Sequence, residues 1–107
     1  MSADIPLRNG YFEPTPYVLS ASREADEVTV TIDAGFAGRT VEESFAFEDF
    51  RRLGGEEPFD FEDVLGLVLR TDGQTITGLI GVGSGNERFA VSREDWNTAL
   101  LALEPQG

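Results

Sequence analysis

Carboxylates are the chemistry this chain holds in quantity. Its 107 residues include 20 Asp and Glu against eight basic residues, all of them arginine, and the net charge is −12. There is no lysine, histidine or cysteine. Without His or Cys there is no Ser-His-Asp or Cys-His nucleophile, no imidazole or thiolate zinc site and no disulfide framework. Without Lys there is no Schiff base and no P-loop lysine. Carboxylate pairs alone do catalyse glycoside hydrolysis, and Glu42 with Glu43 or Asp60 with Glu62 are the pairs on offer. Neighbours in an extended chain point to opposite faces, so Glu42 and Glu43 are poorly placed to share a substrate. No catalytic constellation emerges, and the expectation is a protein that is not an enzyme.

Two ligand motifs fail on context. Gly81-Val82-Gly83-Ser84-Gly85 resembles the spacing of a dinucleotide fingerprint, but that fingerprint must open a helix, and a further strand follows Asn86. Asp60, Glu62 and Asp63 offer oxygens to a hard cation, yet the alternating acids and glycine of an EF-hand loop are missing. No cofactor and no dedicated metal site are expected.

The segment from Glu48 to Asp63 remains, with seven acids, two arginines and three phenylalanines. Within it Glu56, Glu57, Phe59, Asp60, Phe61, Glu62 and Asp63 set negative charge beside large apolar rings. An interface for a basic partner uses such a mixture, an aromatic anchor with charges steering from the rim. The plain alternative is strand alternation, with Phe59 and Phe61 facing the core and the acids facing water. The expected function is therefore a non-enzymatic acidic protein-binding domain, of inhibitor or immunity type, that engages a basic surface of a protein partner. The alternative is a small-molecule-binding β-domain with a cavity between sheet and helix, suggested by Gly66, Gly78 and Gly81, whose missing side chains leave room.

Net charge bears on partners more than on fold. An acidic surface repels nucleic acid and anionic membranes, so neither is expected to bind directly. A GC-rich genome or a salty cytoplasm would produce the same composition without a binding role. The polar stretch around Pro6 does not resemble a signal peptide, and no apolar run approaches the ~20 residues of a membrane span; the expected location is cytoplasmic. Homo-oligomerisation through an exposed edge strand is compatible with all of this.

The elements that must position these residues are read best from 64–91. Asp72-Gly73 between two β-prone runs predicts a two-residue type I′ hairpin with Leu69 opposite Ile76, Leu67 opposite Gly78 and Leu65 opposite Ile80. Gly85-Asn86 as a second two-residue loop puts Val82 opposite Phe89 and Ile80 opposite Val91, on the same apolar face. Ser92 then caps a helix whose Trp96, Ala99, Leu100 and Leu103 form one stripe, laid across the apolar face of the meander and stopped by Pro105.

Upstream, Tyr17–Arg23 and Val28–Ala34 pair about a loop at Ala25-Asp26, and Thr40–Phe47 follows as a strand. Glu48–Leu53 is a short helical stretch ended by Gly54-Gly55, and Pro58–Asp63 crosses extended into the meander. Residues 1–16 read as an irregular lead-in anchored by Tyr11 and Phe12. The whole is a single domain over 1–107: lead-in 1–16, strands 17–47, acidic Phe-rich segment 48–63, three-stranded meander 64–91 and helix 92–104. Its class is α+β, an antiparallel, twisted or partly closed sheet of about six strands with one C-terminal amphipathic helix packed on it.

Overall fold

Among the described residues, four strands and a helix follow one another twice. In the computed structural model, which describes residues 2–33, 40–62, 67–82 and 85–104 (backbone alone at 62, 81–82 and 85–87), the first set is β1 (Ser2–Asn9), β2 (Pro14–Glu24), β3 (Glu27–Ile32), β4 (Val41–Ala46) and α1 (Phe47–Leu53). The second is β5 (Phe59–Glu62), β6 (Leu67–Thr71), β7 (Thr75–Val82), β8 (Gly85–Ser92) and α2 (Arg93–Leu103). All eight strands share one sheet in the order β4-β3-β2-β1-β8-β7-β6-β5. Each half is a simple antiparallel meander, and the halves join where Arg8 and Asn9 of β1 face Ala90 and Phe89 of β8. The sheet curls until its two ends meet through side chains: the rings of Phe45 on β4 and Phe61 on β5 lie 4.6 Å apart. The antiparallel, partly closed α+β class expected from sequence is therefore present, with eight strands instead of about six and two helices instead of one among the described residues.

Alternation builds the concave face. Leu19, Ala21, Val28, Val30 and Ile32 are buried between exposed or half-buried neighbours, all polar except Val18. The hairpin at Ala25-Asp26 has the expected register, with Leu19 opposite Ile32 and Ala21 opposite Val30. In the second half the faces are as expected but the registers are not. Leu69 faces Gly78 and Thr71 faces Ile76, a slip of two residues. A type I′ turn needs φ > 0 at both central residues, and of this pair only Gly73 has it, at φ 94. Asp72 instead accepts the N–H groups of Gln74 at 2.8 Å and Thr75 at 2.9 Å, which winds a longer loop. At the next turn Val82 faces Gly85 and Ile76 faces Val91, so the connection falls on 83–84, outside the described residues. Slips of two or four leave every side chain on its own face, which is why the apolar pattern could not tell these registers apart.

The lead-in is a strand. Ile5 and Leu7 are fully buried, alternating with Asp4, Pro6 and Arg8. Pro6 lacks the N–H a central strand would use, and β8 pairs with β1 only beyond it, at Arg8 and Asn9. Tyr11 and Phe12 do not anchor anything inward; they are 88% and 40% exposed at the β1–β2 loop.

Both helices have contacts on the concave side. Ser92 Oγ accepts the Asp95 N–H at 3.1 Å, and Glu94 and Asp95 occupy the positive end of α2. Its buried stripe is Trp96, Ala99 and Leu103, with Leu100 packed alongside. The helix lies chiefly over β1, with β8 and β2 beside it, not across the meander as expected. Ile5 and Leu7 of the unforeseen strand supply that apolar seat.

Three side chains of α2 then grip the end of α1. Trp96 stacks on Phe50 at 4.4 Å and its indole N–H donates to the Phe50 carbonyl at 2.8 Å. Arg93 Nε and Asn97 Nδ2 both donate to the Gly54 carbonyl, at 3.0 and 3.1 Å. These bonds satisfy carbonyls that a helix end leaves unpaired. Gly54 ends α1 as expected, but at φ −86; a Cβ there would run into Asn97 and Trp96, so glycine serves close approach and not a left-handed cap.

Candidate functional site

The expected partner-binding residues occupy the crossing from α1 to β5. Because α2 fixes Phe50 and Gly54, the chain leaves α1 at a defined point and runs through Gly55–Pro58 to the sheet edge. Glu56, Glu57 and Asp60 are exposed. Glu56 lies 3.7 Å from Arg93 and Asp60 lies 3.0 Å from Arg70, and both are solvent-exposed pairs worth about 0–1 kcal/mol each. Phe59 and Phe61 are half-buried and pack against the core, as strand alternation requires. Phe61 meets Phe45, and Phe59 lies beneath the Arg52 guanidinium at 4.0 Å. A shallow groove of ≈ 170 Å³ runs between Arg52, Gly55, Glu56, Glu57, Pro58 and Phe59. Glu62 pairs with Val68 through its backbone, and Asp63 lies outside the described residues. The geometry thus sets exposed acids beside the partly covered ring of Phe59.

The carboxylate pairs do not converge. Glu42 is exposed and Glu43 half-buried, on opposite faces of β4. Asp60 already accepts from Arg70. Among the described residues no group of three or more His, Cys, Asp or Glu could hold a metal ion. Among the described residues one carboxyl is held clearly below its ordinary range, that of Asp72, by the Thr75 and then the Gln74 N–H groups; it shapes a turn.

Of the glycines that suggested a ligand cavity, Gly78 is filled. A Cβ there would collide with the ring of Phe89, its cross-strand neighbour. Gly66 lies outside the described residues, and Gly81 pairs with Asn86. A groove of ≈ 370 Å³ does exist, but on the other face of the sheet, away from the helices, with Arg70 and Arg88 in its walls. Sequence reasoning missed it because those arginines are 18 positions apart and meet only through strand register.

No helix among the described residues is long and apolar enough to cross a membrane.

The architecture is that of a curled antiparallel sheet built from two consecutive four-strand-and-helix units. No family model matches the sequence, and no curated protein sequence matches it significantly. Among solved structures the chain is similar to SsgB of Streptomyces coelicolor, a protein in which mutations correlate to longitudinal cell division during sporulation. The TM-score is 0.63 at 16% identity, over 95% of this chain and 82% of that one. At this identity the likeness is one of fold.

Proposed function

We propose that this chain is a non-enzymatic protein-binding domain whose acidic crossing between α1 and β5 engages a basic surface of a partner protein. The observation that carries the reading is Glu56 and Glu57, exposed beside half-buried Phe59 on a segment whose start is pinned by three hydrogen bonds from α2. A pinned acidic rim steers a basic partner without a large loss of loop entropy on binding. The residue inventory, lacking His, Cys and Lys, supports a role through surface and not through reaction chemistry. The fold likeness to SsgB adds a place to look: the partner is sought first among proteins of cell division.

The test is a pull-down from the native host with the wild-type chain and with a variant carrying Glu56→Lys and Glu57→Lys, followed by binding of the purified partner at rising salt. We expect a basic partner, captured by wild type, whose association slows by about tenfold on charge reversal at low salt. A partner that binds both proteins alike, with no salt dependence, refutes the reading.

A further inference from the structure

Three arginines converge on the outer face of the sheet, the face that carries no helix. Direct cross-strand pairing sets Arg8, Ala90, Thr77 and Arg70 in one row, and Arg88, Leu79 and Val68 in the next. Between them lies the ≈ 370 Å³ groove, with Arg70 and Arg88 in its walls and Val68, Leu79 and Ala90 as an apolar floor. Ala90, although on an outer face, is only 4% exposed, because longer side chains surround it. The groove also reaches Gly10, next to the exposed rings of Tyr11 and Phe12.

The engagement of these guanidinium groups is uneven. Arg23 donates to the Leu103 carbonyl, Arg51 pairs with Glu48, Arg52 covers Phe59 and Arg93 holds Gly54. Arg8 stacks on Phe12 and donates to its carbonyl at 3.1 Å, and Arg70 shares a surface pair with Asp60 in which both side chains are more than half exposed. Arg88 is exposed and, among the described residues, has no hydrogen-bond or ion-pair partner. On a chain of net charge −12, a face edged by three cations with an apolar floor attracts an acidic ligand.

We infer that this face docks an extended acidic segment of a partner protein, one whose carboxylates alternate with aliphatic or aromatic side chains. The spacing supports that occupant. Arg8 and Arg88 are diagonal neighbours on adjacent strands, roughly 8 Å apart, and Arg8 and Arg70 are separated by three strand spacings, about 14 Å. Alternate side chains of an extended peptide repeat at about 6.7 Å, so carboxylates two and four positions apart match the Arg8–Arg88 and Arg8–Arg70 separations. Apolar side chains near them reach Leu79, Val68 and the Tyr11–Phe12 loop. Arg, Tyr and Phe around an apolar centre is the composition of binding hot spots. This surface is distinct from the acidic crossing and does not depend on it.

The test is an array of short immobilised peptides in which Asp and Glu alternate with Leu, Phe and Tyr, beside matched peptides carrying Asn and Gln or Lys. It is probed with the labelled full chain, with Arg88→Glu, with Leu79→Asn and with Glu57→Lys, each checked for folding by circular dichroism. We expect binding concentrated on the acidic peptides, weakened about tenfold or more by Arg88→Glu and several-fold by Leu79→Asn, and not weakened by Glu57→Lys. Equal binding to the Asn and Gln peptides, or an Arg88→Glu variant that binds as wild type, overturns the proposal. So does single-stranded DNA that displaces the acidic peptides, or self-association lost in Arg88→Glu with no peptide captured. Because Glu57→Lys probes the acidic crossing alone, failure of one surface is separable from failure of the other.

Discussion

Replacing Trp96 by Phe removes one hydrogen bond and part of one stack at the joint that holds α1 against α2. The indole N–H donates to the Phe50 carbonyl at 2.8 Å, and the ring, fully buried, lies on Phe50 at 4.4 Å. Phe keeps most of the stack but cannot donate. The stranded carbonyl costs about 1–3 kcal/mol when buried. The smaller ring leaves a void of roughly 30–40 Å³, which at ~24 cal/mol per Å³ adds about 1 kcal/mol. The sum, about 2–4 kcal/mol, is a large part of the ~5–15 kcal/mol of a domain this size, so the variant stays folded with a melting temperature lower by about 10–20 °C. Trp96 is the sole tryptophan, so unfolding in urea is followed by far-ultraviolet circular dichroism. A second readout tests the link to the acidic crossing: under conditions where both proteins are folded, a Glu-specific protease cuts the Glu56–Glu57 bond faster in the variant. A stability loss below about 0.5 kcal/mol, the range of ordinary surface substitutions, refutes the reasoning. So does unchanged cleavage at full destabilisation, since the joint would then not govern the crossing.

Two further perturbations read other joints. Gly78→Ala gains up to about 1 kcal/mol from lower unfolded-state entropy, but overpacks the Phe89 ring at about 1–3 kcal/mol. The net expected in urea titration is destabilisation by about 1–2 kcal/mol, relieved when Phe89→Leu is added; a stabilised Gly78→Ala shows that the ring does not fill the site. Asp72 has its folded pKa below the ordinary 3.8, owing to the Thr75 and Gln74 N–H groups, so its ionised form contributes stability above the ordinary value that is lost as pH falls through the folded one. Asp72→Asn keeps an acceptor oxygen and lacks the charge, so its melting temperature should fall less steeply than wild type below about pH 4; parallel curves contradict the assignment.

What could be read from the chain was periodicity, and what could not was anything periodicity leaves degenerate. Val28–Ile32, the Ser92 cap and the Trp96 stripe combine a local signal with one compatible geometry, and each is found as expected. The meander registers slipped because a period of two is blind to shifts of two, and at the β6–β7 turn the contacts that accompany the slip are the Asp72 carboxylate's own turn bonds. β1 was hidden by Pro6 inside an otherwise clean alternation of Ile5 and Leu7. The repeated four-strand-and-helix order leaves no internal repeat in the sequence, since only apolar positions need to recur for both halves to form the same meander. Of the candidate site, the exposure of Glu56, Glu57 and Asp60 was legible, whereas the Arg8, Arg70 and Arg88 face is assembled by pairing between strands far apart in sequence.

Asp60 belongs to both charged surfaces, and that decides which substitutions are informative. It lies one strand from Arg70 in the same cross-strand row, at the boundary between the acidic crossing and the arginine face. Reversing it removes an acid from one surface, releases Arg70 on the other and sets two cations side by side. A loss of basic-partner binding and a gain of acidic-peptide binding would then arise together from one change, whichever surface is the working one. Glu57 and Arg88 carry no such ambiguity: each is exposed, neither shares an ion pair among the described residues, and they sit on different surfaces. If both surfaces bind, reversing Glu57 and Arg88 together should weaken both activities, with single reversals weakening one each. Coupling between the two single effects would show that one ligand spans the edge strand β5 and touches both faces.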